Sequence, residues 1–194
     1  TMEGMVDHEI FELTNGIRVV YKSINNSKIV HCGFVMDIGS RDETPEQWGI
    51  AHFWEHMAFK GTVKRKAFHI INRLESVGGE LNAYTTKEKI CFYASALTQH
   101  FEKSVELLTD ITFFSTFPEK QIENEKSVIL EEMGLYLDSP EDAIQDDFED
   151  IIFKGHSLGR NIIGSKESVE SFRKNDFRKF IDENLDNKRL VFSV

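Results

Sequence analysis

The spacing of apolar residues predicts strands in four parts of the chain. Residues 8–24 hold two short apolar stretches on either side of an Asn15-Gly16 turn, which is a hairpin signal. The apolar content of residues 29–39 predicts a third strand that is buried on both faces. Residues 80–97 are extended around a turn at 86–88, and a terminal strand is predicted over 189–194.

Apolar residues three and four positions apart predict helices in the rest of the chain. The second helix ends at the paired glycines Gly78 and Gly79, and Pro118 suits the first turn of the fourth. No repeat, low-complexity stretch or linker interrupts these elements, so one α/β domain is expected. The predicted helices cover residues 49–62, 66–79, 99–115, 118–137, 141–153 and 166–185.

Composition narrows the class of protein. The 194 residues are 40% hydrophobic and 29% charged, which is typical of a soluble globular domain. A net charge of −10 disfavours nucleic-acid binding, and no apolar run is long enough for a membrane helix. The N-terminal residues carry no signal peptide, so the cytoplasm is the expected compartment unless a targeting segment has been removed. Cys32 and Cys91 are expected to be buried free thiols.

The sequence HFWEH at residues 52–56 is the candidate metal-binding motif. His52, Glu55 and His56 stand at positions i, i+3 and i+4, which share one face of a helix. Both imidazoles can therefore converge on one metal ion while the carboxylate lies beside it. The alternative is an ordinary helix with two histidines and an acid between them. The H-x-x-E-H order marks the inverted zinc peptidases and favours the metal site.

A catalytic zinc usually has three protein ligands, so a third ligand is expected elsewhere. In the 118–137 helix, Glu125 and Glu132 lie two turns apart on the apolar stripe with Val128 and Ile129, whereas Glu131 faces solvent. Burying a carboxylate costs several kcal/mol unless a metal or a hydrogen-bond partner compensates. The alternative is an acid-rich helix that turns these residues to its edge. The histidine pair upstream favours the metal.

Several stretches together resemble a known family. The segments GIAHFWEHMAFKGT, GGELNAYTTKEKICFYA, ENEKSVILEEMGLYLDSPED and HSLGRNIIGSKESV occur in the order found in the pitrilysin and mitochondrial processing peptidase family of zinc metallopeptidases. Bacterial members resembling processing proteases are the most similar. The resemblance implies an α+β sandwich of the processing-peptidase type, in which a mixed, mostly antiparallel sheet packs against several helices.

The resemblance also implies roles for the acidic and histidine residues. His52, His56 and Glu132 are expected to bind one Zn²⁺ per chain, and Glu55 to act as the general base of a zinc-dependent metalloendopeptidase. Glu125 is the second expected catalytic acid, which either hydrogen-bonds a ligand histidine or steers the active-site water. Trp54 stands where leucine is more usual, but it lies on the opposite helix face. The other histidines, including His156, are expected to be structural.

The segment that begins at Gly78 resembles the family's substrate-docking edge strand. An extended peptide is expected to pair with its main chain, with Gly79, Asn82 and Ala83 as the contacting residues. The alternative is an ordinary helix end followed by an ordinary strand. The zinc motif favours docking.

Length is the main departure from the family. Members usually have at least twice this length, with a second, similarly folded domain that closes over the first. Residues 1–194 are therefore expected to be one N-terminal catalytic-type domain of a longer chain, completed by a homologous domain or a partner subunit. The isolated chain could then be inactive. Two further hypotheses stay open, a non-catalytic scaffold or binding subunit of the same fold and a zinc hydrolase that acts on something other than peptides.

Overall fold

The computed structural model describes residues 8–194. The prediction that the N-terminal residues carry no signal peptide concerns mainly residues 1–7, which lie outside the described residues. Its strands form one six-stranded sheet in the order β1-β2-β6-β3-β5-β4. Neighbouring strands are antiparallel except β2 and β6, which are parallel. The strands are β1 Glu9–Glu12, β2 Arg18–Tyr21, β3 Ile29–Met36, β4 Glu80–Thr85, β5 Ile90–Leu97 and β6 Leu190–Ser193.

Within the same residues, seven α-helices accompany the sheet. The short helix after β3 carries His52 and His56, and the longest helix carries Glu132. The helices are α1 Ile50–Ala58, α2 Ala67–Glu75, α3 Phe101–Phe113, α4 Glu119–Leu137, α5 Pro140–Ile152, α6 Lys166–Ser171 and α7 Lys174–Asn184.

The helices lie on one face of the sheet. Phe34 stands opposite Phe92 on one side and Phe192 on the other, so these three rings point to the same face. Phe92 packs against Trp54 of α1 at a ring distance of 6.0 Å, and Phe34 packs against Phe113 of α3 at 5.4 Å. α1 and α3 therefore share a layer, and the predicted α+β sandwich with a mixed, mostly antiparallel sheet is confirmed.

The prediction that the third strand is buried on both faces is wrong. Cys32, Phe34 and Met36 are buried under the helices, but Ile29 and His31 on the other side of β3 are exposed. The strand is apolar because it is central in the sheet, whereas its outer face has no helix layer in the described residues. Continuous apolar content predicts burial on both faces only where helices cover both faces.

The predicted helix over 166–185 is two helices. Phe172 has an extended backbone and a buried side chain, which contacts Phe53 and Phe177 at ring distances of 6.1 Å and 6.2 Å. The chain then restarts as α7, where the Arg173 N–H donates to the Asp176 carboxylate at 2.8 Å. The apolar spacing continues across the break because Phe172 enters the same core.

The remaining helices and strands follow the predicted pattern and are shorter at one or both ends, except α5, which is displaced by one residue from the predicted 141–153. α2 closes at Glu75, and Gly78 has a positive φ of 73° after it, as expected for a helix that ends at glycine. Among residues 8–194, none of the helices has the length and apolar character needed to cross a membrane.

Candidate metal centre

Helix α1 separates an apolar face from a polar one. Phe53, Trp54 and Met57 are fully buried, and the Trp54 ring lies between Phe92 and Phe180. The residues His52, Glu55 and His56 are half-buried on the other side. Trp54 therefore packs in the core, away from the histidines, as its helical phase predicts.

The start of α1 is held by a buried carboxyl group. Glu43 accepts hydrogen bonds from the backbone N–H groups of Gly49 and Ala51, both at 2.9 Å. These are among the N–H groups that a helix cannot satisfy internally. Burial raises the pKa of the Glu43 carboxyl to about 8, although the two N–H donors and the nearby Arg160 guanidinium oppose the rise. Glu43 fixes the helix that carries the histidines.

The loop HSLGRNIIG at 156–164 docks against the same end of α1. Arg160 donates to the Glu43 carbonyl at 2.7 Å, and the Trp48 indole donates to the Asn161 carbonyl at 2.8 Å. Gly49 has a φ of 96°, and a Cβ there would lie 2.7 Å from the Ile163 carbonyl oxygen. The loop and the helix start are in backbone contact, so the loop positions the site without contributing a ligand. Its histidine, His156, caps a short turn by accepting the Leu158 N–H at 3.1 Å.

Helix α4 brings Glu132 to the two histidines of α1. Its carboxylate oxygens lie 3.5 Å from His52 Nε2 and 3.4 Å from His56 Nε2. The three side chains offer ligand atoms within 4.8 Å of one another, and they form the one such group of three or more found among the described residues. Tetrahedral zinc, with bonds of about 2.0–2.2 Å, needs ligand atoms roughly 3.3–3.6 Å apart. Two imidazoles and one carboxylate are also a known catalytic zinc set, so the residues fit Zn²⁺.

The charge of the centre suits a cation. The imidazoles of His52 and His56 hold the pKa of the Glu132 carboxyl far below its usual value. Burial lowers the pKa of His56, but the Glu125 and Glu132 carboxylates outweigh burial and raise it to about 9. The carboxylates thus favour positive charge at the imidazole, and a bound metal ion would supply that charge in place of a proton.

Glu125 supports one of the two histidines. Its side chain is 6% exposed, and Oε1 lies 3.1 Å from His56 Nδ1. Burial raises the pKa of Glu125, but His56 and Lys60 lower it below its ordinary value, so the carboxylate is ionised and Nδ1 is the donor. Nε2 of His56 is then left for a metal. Nδ1 of His52 is also buried, yet it has no hydrogen-bond partner in the described part of the chain.

Lys60 completes this chain of contacts. Its Nζ lies 2.7 Å from the second oxygen of Glu125, so the buried carboxylate is shared between a histidine and a lysine. Lys60 follows α1 after half a turn, which places it beside His56. Sequence reasoning missed Lys60; the available signal was a basic residue four positions after His56 and on its side of the helix.

Glu55 is oriented by a residue from the sheet. The Thr85 hydroxyl, at the end of β4, donates to Glu55 Oε2 at 2.5 Å. Thr85 also lines a cavity of about 190 Å³ with His52 and Glu132. A threonine in a strand has no sequence signal of this kind, so Thr85 was not predicted. Glu43 was missed for the same reason, because its role depends on tertiary contact.

The helical phase of α4 predicts burial only in part. Glu125 and Ile129 are buried and Glu131 is exposed, as predicted. The prediction fails for Val128, which is 47% exposed, and it overstates the burial of Glu132, whose side chain is 46% exposed. The helix leaves the core toward its C-terminal end, so the buried stripe narrows there.

Strand β4 lies at the edge of the sheet beside α1. A cavity of about 380 Å³ lies between them, lined by Glu55 and His56 of α1, by Lys60 just after it and by Asn82 and Ala83 of β4. Ala83 points toward α1, while the exposed Asn82 side chain is on the other side of the strand. Gly79 is buried, and a Cβ there would lie 3.0 Å from the Ser95 carbonyl oxygen. Packing against β5 therefore explains this glycine.

The remaining chemistry-bearing residues lie away from the centre. Cys32 and Cys91 are buried free thiols, as predicted, and burial raises the pKa of Cys32 to about 11. Neither thiol belongs to the metal-ligating group.

The H-x-x-E-H order on α1 is the motif of the inverted zinc peptidases, and Glu132 of α4 lies beside its two histidines. Comparison with known proteins names the family. Residues 18–166 match insulinase, peptidase family M16. The chain belongs to this family.

Relatives and solved structures agree with this assignment. The chain is 38% identical to the zinc protease YmxG of Bacillus subtilis over 93% of its own length and 44% of the relative's. It is 35% identical to the mitochondrial-processing peptidase subunit beta of Caenorhabditis elegans, over 94% of this chain and 40% of that one. A protease from Helicobacter pylori has the same fold, with a TM-score of 0.91 at 24% identity over 98% of this chain and 46% of that chain.

Membership of this family supports a peptidase role, and relatives named zinc proteases support zinc as the family's metal. The chain spans less than half the length of each of these relatives.

Proposed function

We propose that residues 1–194 form the N-terminal catalytic domain of a zinc-dependent metalloendopeptidase that cleaves peptides or extended polypeptide segments. The convergence of His52, His56 and Glu132 at ligand spacing, with Glu55 beside them, carries the proposal. His52, His56 and Glu132 would hold one Zn²⁺. When bound, zinc supplies Lewis-acid chemistry that activates water near neutral pH and polarises a carbonyl group.

Glu55 is proposed as the general base. A carboxylate beside the ligands can accept the proton of the attacking water and pass it to the leaving amine, a role worth about 10²–10⁴ in rate. The Thr85 hydroxyl bonds one Glu55 oxygen, which fixes the carboxylate and leaves the other oxygen for the proton. Glu125 acts through His56, because it holds the ring so that Nε2 faces Glu132.

The edge of β4 is proposed to bind the substrate. A sheet edge offers unpaired N–H and C=O groups, so an extended peptide can add to it as a further strand. The cavity between β4 and α1 lies next to Glu55 and His56, which would place the peptide backbone beside the centre. Asn82 and Ala83 are the proposed contacts, and Gly79 lies just before the strand. The remaining part of the full-length protein is proposed to close over this cleft.

Substitution of the proposed base tests the function. In the full-length protein, Glu55→Gln should keep zinc content near one ion per chain, because Glu55 is not a ligand, and should abolish cleavage of a peptide library. His52→Ala is the matched control, which should lose both zinc and cleavage. Zinc content is measured by atomic emission and cleavage by mass spectrometry.

Two results would contradict the proposal. Cleavage that persists in Glu55→Gln removes Glu55 as the base. An unsubstituted full-length protein that binds zinc but cleaves no peptide favours the scaffold or binding subunit, or a hydrolase with a different substrate.

A further inference from the structure

Helix α5 is amphipathic, but its apolar side faces outward instead of toward the core. Ile144, Phe148 and Ile151 are 67%, 57% and 76% exposed. At about 100° per residue, Phe148 and Ile151 lie within about 40° of Ile144, so the three form one stripe. A surface helix normally turns such a stripe toward the core.

The face of α5 that packs on the domain is acidic instead. Asp146 and Glu149 both pair with the Lys87 ammonium group, with a distance of 3.7 Å for Asp146. Lys87 also donates to the Leu158 carbonyl at 2.8 Å. These contacts come from the turn between β4 and β5 and from the 156–164 loop, so they fix which face of α5 points outward.

The position of α5 connects its exposed stripe to the metal centre. Asp146, on the inner face, lines the same 190 Å³ cavity as His52 and Glu132. The helix is therefore one wall of the cleft, and its apolar stripe is the outer surface of that wall. A polypeptide that covers the stripe would therefore lie at the rim of the cleft.

We propose that the stripe of Ile144, Phe148 and Ile151 is a contact surface for the remaining half of the full-length polypeptide. The chain spans 44% of the Bacillus subtilis relative and 46% of the Helicobacter pylori protease chain. In a full-length protein of similar size, more than half of the residues would therefore lie outside residues 1–194. The inference rests on the proposed function, because that function needs a cleft closed by the remaining half.

Charge around the stripe disfavours a second copy of the same surface. Asp147 and Asp150 are exposed beside the apolar residues. A twofold contact between two identical stripes would bring these acidic residues together, which is repulsive. The covering surface is therefore expected to be apolar at its centre and basic at its rim.

Cysteine labelling in the full-length protein tests the contact. Ile151→Cys places a thiol in the stripe, and Gln145→Cys places one on the same exposed helix, about 100° away from Ile144. Labelling with a thiol reagent should be at least tenfold slower at position 151 than at position 145 in the folded protein and equal at both in denaturant. The unsubstituted protein corrects for Cys32 and Cys91.

The outcomes separate the possible occupants. Slow labelling at 151 that does not depend on protein concentration supports the contact with the remaining half. Equal rates at both positions overturn the proposal, as does protection that grows with protein concentration, which indicates a second copy. Hydroxyl-radical footprinting of the unsubstituted full-length protein provides a check without mutation, since Phe148 and Ile151 should be protected. Neither measurement needs zinc or cleavage, so a failure of the proposed function stays distinguishable from a failure of this contact.

Discussion

At the residue scale, the centre depends on a buried carboxylate that has two partners. Glu125 is too buried to be stable as an isolated charge, and the cost of burying it is offset by His56 on one oxygen and Lys60 on the other. A metal ion held by His56 would therefore be influenced by Lys60 through Glu125. Supporting contacts of this kind typically alter metal affinity by about 10–100-fold when removed.

Replacing Lys60 tests this chain of contacts. Lys60→Met should weaken zinc binding by about tenfold or more, because Glu125 loses one partner and no longer fixes the His56 ring. Lys60→Arg should restore most of the affinity, since it keeps the positive charge. Zinc affinity is measured by chelator competition in the full-length protein. Lys64→Met is the control, because Lys64 is exposed and, within residues 8–194, forms an ion pair with Glu106 alone. An equal loss in that variant would contradict the assignment.

Glu43 makes the stability of the domain depend on pH. Burial raises its pKa from an ordinary value of 4.5 to about 8, so the folded protein holds a proton that the unfolded chain has released in this interval. The stability contributed by the neutral carboxyl is complete below pH 4.5 and is lost as pH rises through 8.

A neutral replacement isolates this effect. Between about pH 5 and pH 8, the unsubstituted protein should lose stability relative to Glu43→Gln, with a slope that approaches about 1.4 kcal/mol per pH unit. Chemical denaturation at several pH values measures the difference. A difference that stays flat across this range would show that Glu43 is ionised in the folded protein.

At the element scale, α1 begins in a position that only glycine fits. Gly49 has a positive φ, and Gly164 of the docking loop lies directly against it. A Cβ on Gly49 would meet backbone atoms of Ile163 and Gly164 at 2.7 Å and 2.8 Å. The helix that carries the histidines is therefore aligned by a contact between two backbones.

A pair of alanine substitutions separates the backbone strain from the close contact. Gly49→Ala should destabilise the domain by more than about 3 kcal/mol, since it adds both a strained φ and a backbone clash. Gly78→Ala is the control: its φ is 73°, but a Cβ there meets nothing within 4 Å, so strain alone should cost about 1–2 kcal/mol. Denaturant midpoints measure both. Similar losses in the two variants would show that the contact at Gly49 is unimportant.

The spacing of apolar residues predicts helices and strands well where an element packs against one neighbouring layer and buries one face. The α1 and α4 helices and the β4–β5 pair follow from local spacing, because each buries one face. The hairpin follows from its Asn15-Gly16 turn instead, since all four residues of β1 are exposed. The spacing fails at Phe172, where a buried ring interrupts a helix while keeping its apolar phase, and at β3, where the outer face has no cover. Both errors depend on tertiary neighbours that a local pattern does not contain.

Part of the candidate site could also be predicted from local spacing. His52, Glu55 and His56 share one helix, so their convergence follows from the geometry of a single element. Glu132 was found because helical phase and family resemblance both selected it. Lys60, Thr85 and Glu43 act through contacts that join separate elements, and their types and spacing carry little information about those contacts.

At the scale of the whole molecule, zinc is expected to hold two helices together. His52 and His56 come from α1 and Glu132 from α4, so an ion bound to all three cross-links them. Binding to the folded state alone stabilises by about 4.1 kcal/mol when free zinc is a thousandfold above its dissociation constant. A chelator should therefore lower the melting temperature of the full-length protein, and Glu55→Gln should respond in the same way.

The His52→Ala variant provides the comparison for this prediction. Its melting temperature should be lower without chelator and should barely change when chelator is added. Scanning calorimetry measures both proteins. If the chelator lowers the melting temperature of this variant as much as that of the unsubstituted protein, the stabilising metal is bound somewhere else.

The place of β6 in the sheet has a consequence for how the domain is assembled. β6 separates β2 from β3, so the hairpin of β1 and β2 joins the other strands only through a segment from the far end of the described chain. The Arg18 side chain and the Lys188 carbonyl, which are bonded here, are 170 positions apart in sequence. Closing so long a loop is entropically costly and slows folding. During synthesis, the N-terminal hairpin must therefore wait for β6 to emerge from the ribosome before it can join the rest of the sheet.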